Sequence, residues 1–221
     1  MNEIPVNISD RAMDDNQKSK AELIAELEGT RQRIAELEQQ EKARRQAEQQ
    51  VSRSIDLLNW AGEVLTGRLD LQEKLKMLLK MTTEILNVTG SSLWQLDPVE
   101  EGWLVCKAIS NVNADIELVD HRLRPGQGVA GWVAEQGESA LVTRTEEEIR
   151  FSSEVDEKTH FKTISLIAVP MKVRDRVLGV IEVVNKLNGQ FDITDRLLVE
   201  TLAAFAAVAI ELDRLERTIK A

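Results

Sequence analysis

The sequence predicts an α+β fold, with one mostly antiparallel sheet flanked by helices and a long coiled-coil helix ahead of it. Three observations carry this. From Leu23 onward apolar residues recur at alternating spacings of four and three, the signature of a coiled coil. Between residues 91 and 184, short aliphatic segments alternate with turns rich in Gly, Pro and Asp. Amphipathic helical patterns at 71–86 and after Asp192 bracket that run.

A chain of 221 residues suits one domain of about 150 residues with an appendage. Apolar residues make up 43% and aromatic ones 4%, so the core is aliphatic. The net charge of −10 argues against a nucleic-acid partner, which needs a basic face to neutralise phosphates. Cys106 is the lone cysteine, so no intramolecular disulfide can form, and a reducing, cytoplasmic location is expected. The first residues lack a signal-peptide pattern. The longest apolar stretch, 202–210, is too short to span a membrane, so no membrane partner is expected.

The elements follow in order. Residues 1–19 are polar and aperiodic and read as a disordered tail. Residues 20–54 read as a coiled-coil signalling helix. Its seam is Leu23, Leu27, Thr30, Ile34, Leu37, Glu41, Arg44, Glu48, Val51, Ile55 and Leu58. Gly29 costs about 1 kcal/mol in a helix interior, and Glu41, Arg44 and Glu48 place three polar residues in succession on the seam. The expectation is a parallel homodimer, loose in the middle and firmer at both ends; a solvated single helix is the alternative. A domain is expected over 55–215, with 216–221 ending the last helix. Residues 57–64 continue the first helix and carry Trp60, and Gly67 and Asp70 mark a break and a new N-cap.

Helix 71–86 puts Leu75, Leu78, Leu79, Thr82 and Ile85 on one face. Strands are expected at 91–96, ended by Asp97-Pro98, at 103–109, and within 117–124. Pro125 to Gly128 form a turn, 129–136 a short helix stopped by Gly137, and 140–143 a short strand. Residues 144–163 form a polar connection of a length that is usually functional or mobile. Strands 164–173 and 177–184 make a hairpin across Arg174-Asp175-Arg176. Asp192 caps the last helix with Asp195 three positions on. In that helix Leu198, Leu202, Phe205, Ala209, Leu212 and Ile219 repeat like a heptad. Either a bundle with 57–64 across a dimer or a face buried within one subunit gives this pattern.

Catalysis finds little support. There are two histidines, His121 and His160, and no tyrosine. No phosphate loop, metal-ligand cluster or nucleophile elbow appears, so no catalytic residue, metal or cofactor is expected and the chain reads as a non-enzyme. Cys106 reads as a small core residue. A binding cavity fits better. The turn at 125–128 delivers backbone N–H groups at a helix start, which favours an anion, and 144–163 is placed to fold over it as a lid. Glu182 shares one strand face with Val180 and Val184. It is either an exposed acid or an acceptor for a purine or other polar ring. Lys186 and Asp195 are either separate or an ion pair. Exposed, such a pair contributes less than about 1 kcal/mol, and its importance is to hold the pocket wall.

The segments GSSLWQLD (90–97), LRPGQGVAGWVAEQGESALV (123–142), HFKTISLIAVPM (160–171) and LGVIEVVNKLNGQFDITD (178–195) resemble, in order and spacing, those of a GAF domain. The resemblance implies a six-stranded antiparallel sheet between helices, a dimer through the terminal helices, and a sensory role coupled to an effector protein or domain. Asn185, Lys186, Phe191 and Asp195 resemble the motif of the cyclic-nucleotide-binding branch found in phosphodiesterases and bacterial adenylyl cyclases. Arg196 stands where that motif ends in Glu. The resemblance assigns these four residues a pocket-supporting role. It assigns ligand contacts to Ser92, Ile109, Ser110, Val129, Ala130, Thr159 and Glu182. Ile109 and Ser110 stand where the branch often carries an aromatic and an acid. The implied function is a regulatory small-ligand sensor for cGMP or cAMP. The alternative is a ligand-independent dimerisation or protein-interaction module with a vestigial pocket.

Overall fold

The structure, a computed structural model, describes residues 19–66, 69–111 and 118–220. Of the expected tail at 1–19, residues 1–18 lie outside the described residues, as does the break at Gly67, while Ser19 is described. The chain divides into two compact units, Met1–Leu57 and Leu58–Ala221.

Helix α1 (Lys20–Thr66) is continuous through the expected boundary at 54/55. It opens with a reciprocal cap: the Ser19 N–H donates to Glu22 Oε2 at 2.7 Å and the Glu22 N–H to Ser19 Oγ at 3.3 Å. Seam residues Leu23, Leu27, Ile34 and Leu37 are 39–60% exposed. The polar seam residues bond along the same helix, Arg44 reaching both Glu41 and Glu48. The side chains of Val51, Ile55, Leu58 and Trp60 lie outside the described residues.

In the second unit, α2 (Leu71–Leu86) starts at Asp70, whose carboxylate accepts the Glu73 N–H while the Glu73 side chain accepts the Asp70 N–H. Its buried face is Leu75, Leu78, Leu79, Thr82, Thr83 and Leu86. Ile85, expected on that face, is only half-buried; Leu86, eleven residues past Leu75, completes three turns and takes the inward position.

Six strands follow: β1 (Val88–Leu96), β2 (Leu104–Asn111), β3 (Arg122–Leu123), β4 (Ala140–Val142), β5 (Leu166–Val173) and β6 (Arg176–Lys186). They form one sheet in the order β3-β2-β1-β6-β5-β4, with every neighbouring pair antiparallel. Helix α3 (Gly128–Gln136) lies between β3 and β4 in the chain, α4 (Glu154–Thr159) between β4 and β5, and α5 (Ile193–Lys220) ends it.

The short strand expected within 117–124, of which 118–124 are described, is the two-residue β3. Other expectations change. The connection 144–163 contains a 3₁₀ turn (Thr145–Glu147) and α4. Arg176 belongs to β6, leaving Arg174-Asp175 as a two-residue hairpin turn with Arg174 at φ 54°. This is the left-handed geometry that tight hairpins require. β6 also runs on through Asn185 and Lys186.

The register sorts side chains onto two faces. Ile109, Ser92, Glu182, Ala168 and Ala140 are paired across five strands and share one face. The next row, Ser110, Ser91, Val183, Ile167 and Leu141, shares the other. That second face carries α2 and α5. Leu202 and Ala209 are buried, and Leu198 and Phe205 half-buried, within this unit. The heptad-like pattern in the first half of α5 is therefore a face packed within one subunit, whereas Leu212 and Ile219 are exposed. A Cβ on Gly179 would lie 2.0 Å from the Trp94 carbonyl oxygen, so β6 can approach β1 there only with glycine.

Candidate functional site

The first face of the sheet, α3 and the segment carrying α4 enclose a recess. It holds about 110 Å³ of solvent-accessible space within a partly open volume of about 850 Å³. All seven residues assigned as ligand contacts line it: Ser92, Ile109, Ser110, Val129, Ala130, Thr159 and Glu182. They do so differently. Ser92, Ile109 and Glu182 form one row on the floor. Ser110 pairs with Ser91, whose hydroxyl points away and bonds to the Thr83 hydroxyl and the Leu79 carbonyl of α2. The Ser110 side chain therefore lies on the helix face, and its main chain is what meets the recess.

Val129 and Ala130 are in the first turn of α3. The N-cap, Gln127, makes no side-chain cap bond. Its amide instead accepts the Arg124 N–H at 2.9 Å and donates to Glu154 Oε2 at 2.6 Å. The early N–H groups of a helix have no partner within it, so this uncapped end presents donors and the positive end of the helix dipole to the recess. The turn is held against α3 because a Cβ on Gly131 would come within 2.6 Å of the Gly126 backbone.

Helix α4 closes the opposite side with Val155, Asp156 and Thr159. Two sets of bonds fasten it. Glu154 accepts from Gln127, Arg124 and Lys158. Asp156 accepts both the N–H and the hydroxyl of Thr163, each at 2.7 Å. The Thr159 hydroxyl donates to the Val155 carbonyl, leaving its oxygen as an acceptor. Beside the lid, Arg150 stacks 4.2 Å over the Trp132 ring and pairs with Glu148, whose carboxyl this holds down at about 2.

Glu182 is the acid of the floor. The exposure it retains is toward the recess it lines. Burial pushes its carboxyl up to about 7; the Trp94 indole N–H draws it down, and the charge of Asp156 raises it again. That indole N–H also donates to Ser92 Oγ at 2.9 Å. The Ser92 hydroxyl hydrogen thus stays available to a guest.

The four pocket-supporting residues sit at the recess edge. Asn185, at φ 57°, pins the end of the lid segment. Its side-chain oxygen accepts the N–H groups of Ile164 and Ser165, and its NH₂ donates to the Lys162 carbonyl. Lys186 and Asp195 form an ion pair at 2.5 Å, with side chains only 18% and 13% exposed. Asp195 Oδ2 also accepts the Asp192 N–H, while Asp192 Oδ1 accepts those of Thr194 and Asp195, a closed cap at the start of α5. Phe191 is buried. Arg196 pairs with Glu200 one turn on.

The remaining candidates are structural. Cys106 is fully buried, its thiol pushed up to about 12, chiefly by desolvation. His121 packs edge-on against Trp94, and burial, then the Lys158 charge, lowers its pKa. His160 is exposed and caps α4. Among the described residues no group of three His, Cys, Asp or Glu side chains is placed to hold a metal, and no helix is long and apolar enough to cross a membrane. Reading by sequence missed Trp94, Gln127, Phe151, Asp156 and Thr163 in the walls. Trp94 was within reach, because it alternates with Ser92 on the same strand; Asp156 and Thr163 meet only through the fold of the lid.

The GAF domain matches residues 70–210. The chain belongs to the GAF domain family. Similar proteins include 3′,5′-cyclic phosphodiesterases. One stretch is 32% identical over 99 residues to a probable 3′,5′-cyclic phosphodiesterase of Caenorhabditis elegans, covering 45% of this chain and 14% of that protein. Another is 33% identical over 91 residues to a dual 3′,5′-cyclic-AMP and -GMP phosphodiesterase of Drosophila melanogaster, covering 40% of this chain and 6% of that protein. The chain thus spans a small part of the length of these relatives. Among solved structures, the GAF domain of an Acinetobacter phosphoenolpyruvate-protein phosphotransferase superposes with a TM-score of 0.63 at 21% identity, over 76% of this chain and 98% of that one. The free methionine-R-sulfoxide reductase of Neisseria meningitidis, in complex with its substrate, gives 0.60 at 20%, over 72% and 89%. At such identities the likeness is one of fold.

Proposed function

We propose that this chain is a regulatory sensor module that binds a cyclic nucleotide, cGMP or cAMP, beneath α4 and passes lid closure to its helices as a homodimer. One observation carries the reading. An uncapped helix N-terminus and a hydrogen-bonding acid line the same otherwise mainly apolar recess. A cyclic phosphate suits the first, and a purine edge suits the second. The names of three relatives, each a 3′,5′-cyclic phosphodiesterase, point to the same ligand class. The module itself does no chemistry in this reading; it acts on an effector, in the same chain or another. The exposed apolar seam of α1 and the exposed Leu212, Leu215 and Ile219 of α5 are the surfaces a second copy would cover.

A thermal-shift measurement on folded, ligand-stripped protein tests this. At about 100 times the dissociation constant, the true nucleotide stabilises by roughly 2.7 kcal/mol. No shift with either nucleotide leaves the ligand-independent dimerisation module, the reading that Ile109 favours by offering no aromatic face to a base.

A further inference from the structure

The described lining of the recess is acidic. It includes Glu182 and Asp156, and among its described residues no Lys, Arg or His. Every element packed around Glu182 repeats this. From β1 come Ser92 and the Trp94 indole, from β5 Ala168, and from β2 Ile109 and the thiol of Cys106, kept neutral by its raised pKa. From α4 comes Asp156, both of whose oxygens are occupied by Thr163. From α3 come Val129 and Ala130. The nearby bases are engaged elsewhere: Lys158 and Arg124 with Glu154, Arg150 with Glu148, Lys186 with Asp195. His121 packs edge-on against Trp94, its pKa lowered by burial.

A cyclic nucleotide brings a further negative charge into this space. An ionised Glu182 would then face a phosphate and Asp156 with no compensating cation, in surroundings where an unpaired charge costs several kcal/mol. We propose that the nucleotide enters together with one proton from solvent, taken up on the Glu182 carboxyl, so that Glu182 meets the base as a neutral acid. In that form it donates one hydrogen bond through its O–H and accepts another through its C=O. It therefore selects a ring edge with an acceptor beside a donor, as on the Watson–Crick edges of adenine and guanine. The inference rests on the nucleotide reading above and adds the protonation state of its base-reading residue. With the empty-site carboxyl held up at about 7, this uptake falls within the physiological pH range.

The test is calorimetric titration of the full chain with cAMP and with cGMP at pH 6 and pH 8, in two buffers of different ionisation enthalpy, for wild type and Glu182→Gln. The side-chain amide of glutamine keeps the donor and the acceptor but cannot titrate. Expected is a Kd for the wild type about tenfold weaker at pH 8 than at pH 6, with close to one proton taken up per nucleotide bound at pH 8. Glu182→Gln binds at pH 8 about as tightly as the wild type at pH 6, with no proton uptake. Thermal melting of the variant confirms its fold independently. A wild-type Kd equal at both pH values, or a variant with an unchanged pH dependence, overturns the proton-uptake proposal and leaves the nucleotide reading standing. Absence of binding by either nucleotide at pH 6 overturns both.

Discussion

On the helix face of the sheet, Leu93, Ile167, Ile181 and Val183 are fully buried, and the polar groups there, Thr82, Thr83 and Ser91, bond to backbone or to each other. On the other face the same strands present Ser92, Ile109 and Glu182 to a recess, with bonding capacity left over. One face is closed and satisfied; the other keeps an acid in surroundings that oppose its charge. Both are made by residues alternating along the same strands, so a one-residue shift of register would exchange them. The contrast separates the face that holds the domain together from the face left open.

The first way to break this contrast is to damage the closed face. Leu79→Ala empties a fully buried site under the sheet and is expected to cost about 2–5 kcal/mol in urea unfolding. The molecules that remain folded should bind ligand as before. A loss below about 1 kcal/mol would mean that the helix face does not carry the stability assigned to it.

Next in size is an effect of opposite sign. Glu182 has a folded pKa raised from 4.5 to about 7. The folded state therefore binds the proton more tightly, its stabilisation is complete below pH 4.5, and it is lost as pH rises toward 7. Glu182→Gln is accordingly expected to stabilise the empty protein at pH 8 relative to pH 4.5, by about 3 kcal/mol at most. Melting curves at the two pH values check it, and an equal effect at both would show that burial does not strain this acid.

Asp195→Ala removes a cap acceptor and the partner of Lys186 together. It should cost about 1–2 kcal/mol and weaken nucleotide binding through the displaced pocket wall. A full-affinity variant would reduce the pair to a local staple. The smallest effect is expected from Glu154→Gln, which weakens the link between α4 and the start of α3. Stability changes by less than about 1 kcal/mol, while amide exchange quickens across 154–163. Unaltered exchange there would show that other bonds fasten the lid.

Much of this architecture could be read from residues, for identifiable reasons. Asp70 and Asp192 cap their helices as their spacing to Glu73 and Asp195 implies, because capping is local. The alternation that set Glu182 beside Val180 and Val184 is likewise local, and the cross-strand register then brought Ser92 and Ile109 into the same row. What escaped depends on distant partners or weak patterns. Helix α4 is six residues, EVDEKT, too short and too polar to show a period. Ser110 looked equivalent to Ile109, but its pairing with Ser91 turns it to the other face. Gln127 is an N-cap that bonds across to Glu154, 27 residues away, and no sequence spacing announces that. The motif ending in Asp195 marked the ion pair, whereas the clasp of Asn185 on 162–165 follows from its left-handed backbone.

The most direct test is amide hydrogen exchange of the whole chain with and without saturating cGMP or cAMP. Expected is new protection at the start of α3 (residues 128–131), across the lid at 154–163 and in β6 around Glu182, with α2 exchanging as slowly as before. Protection confined to α1 and α5, or none at any segment, would contradict a ligand site on the open face and leave the helices as the working surface of the molecule.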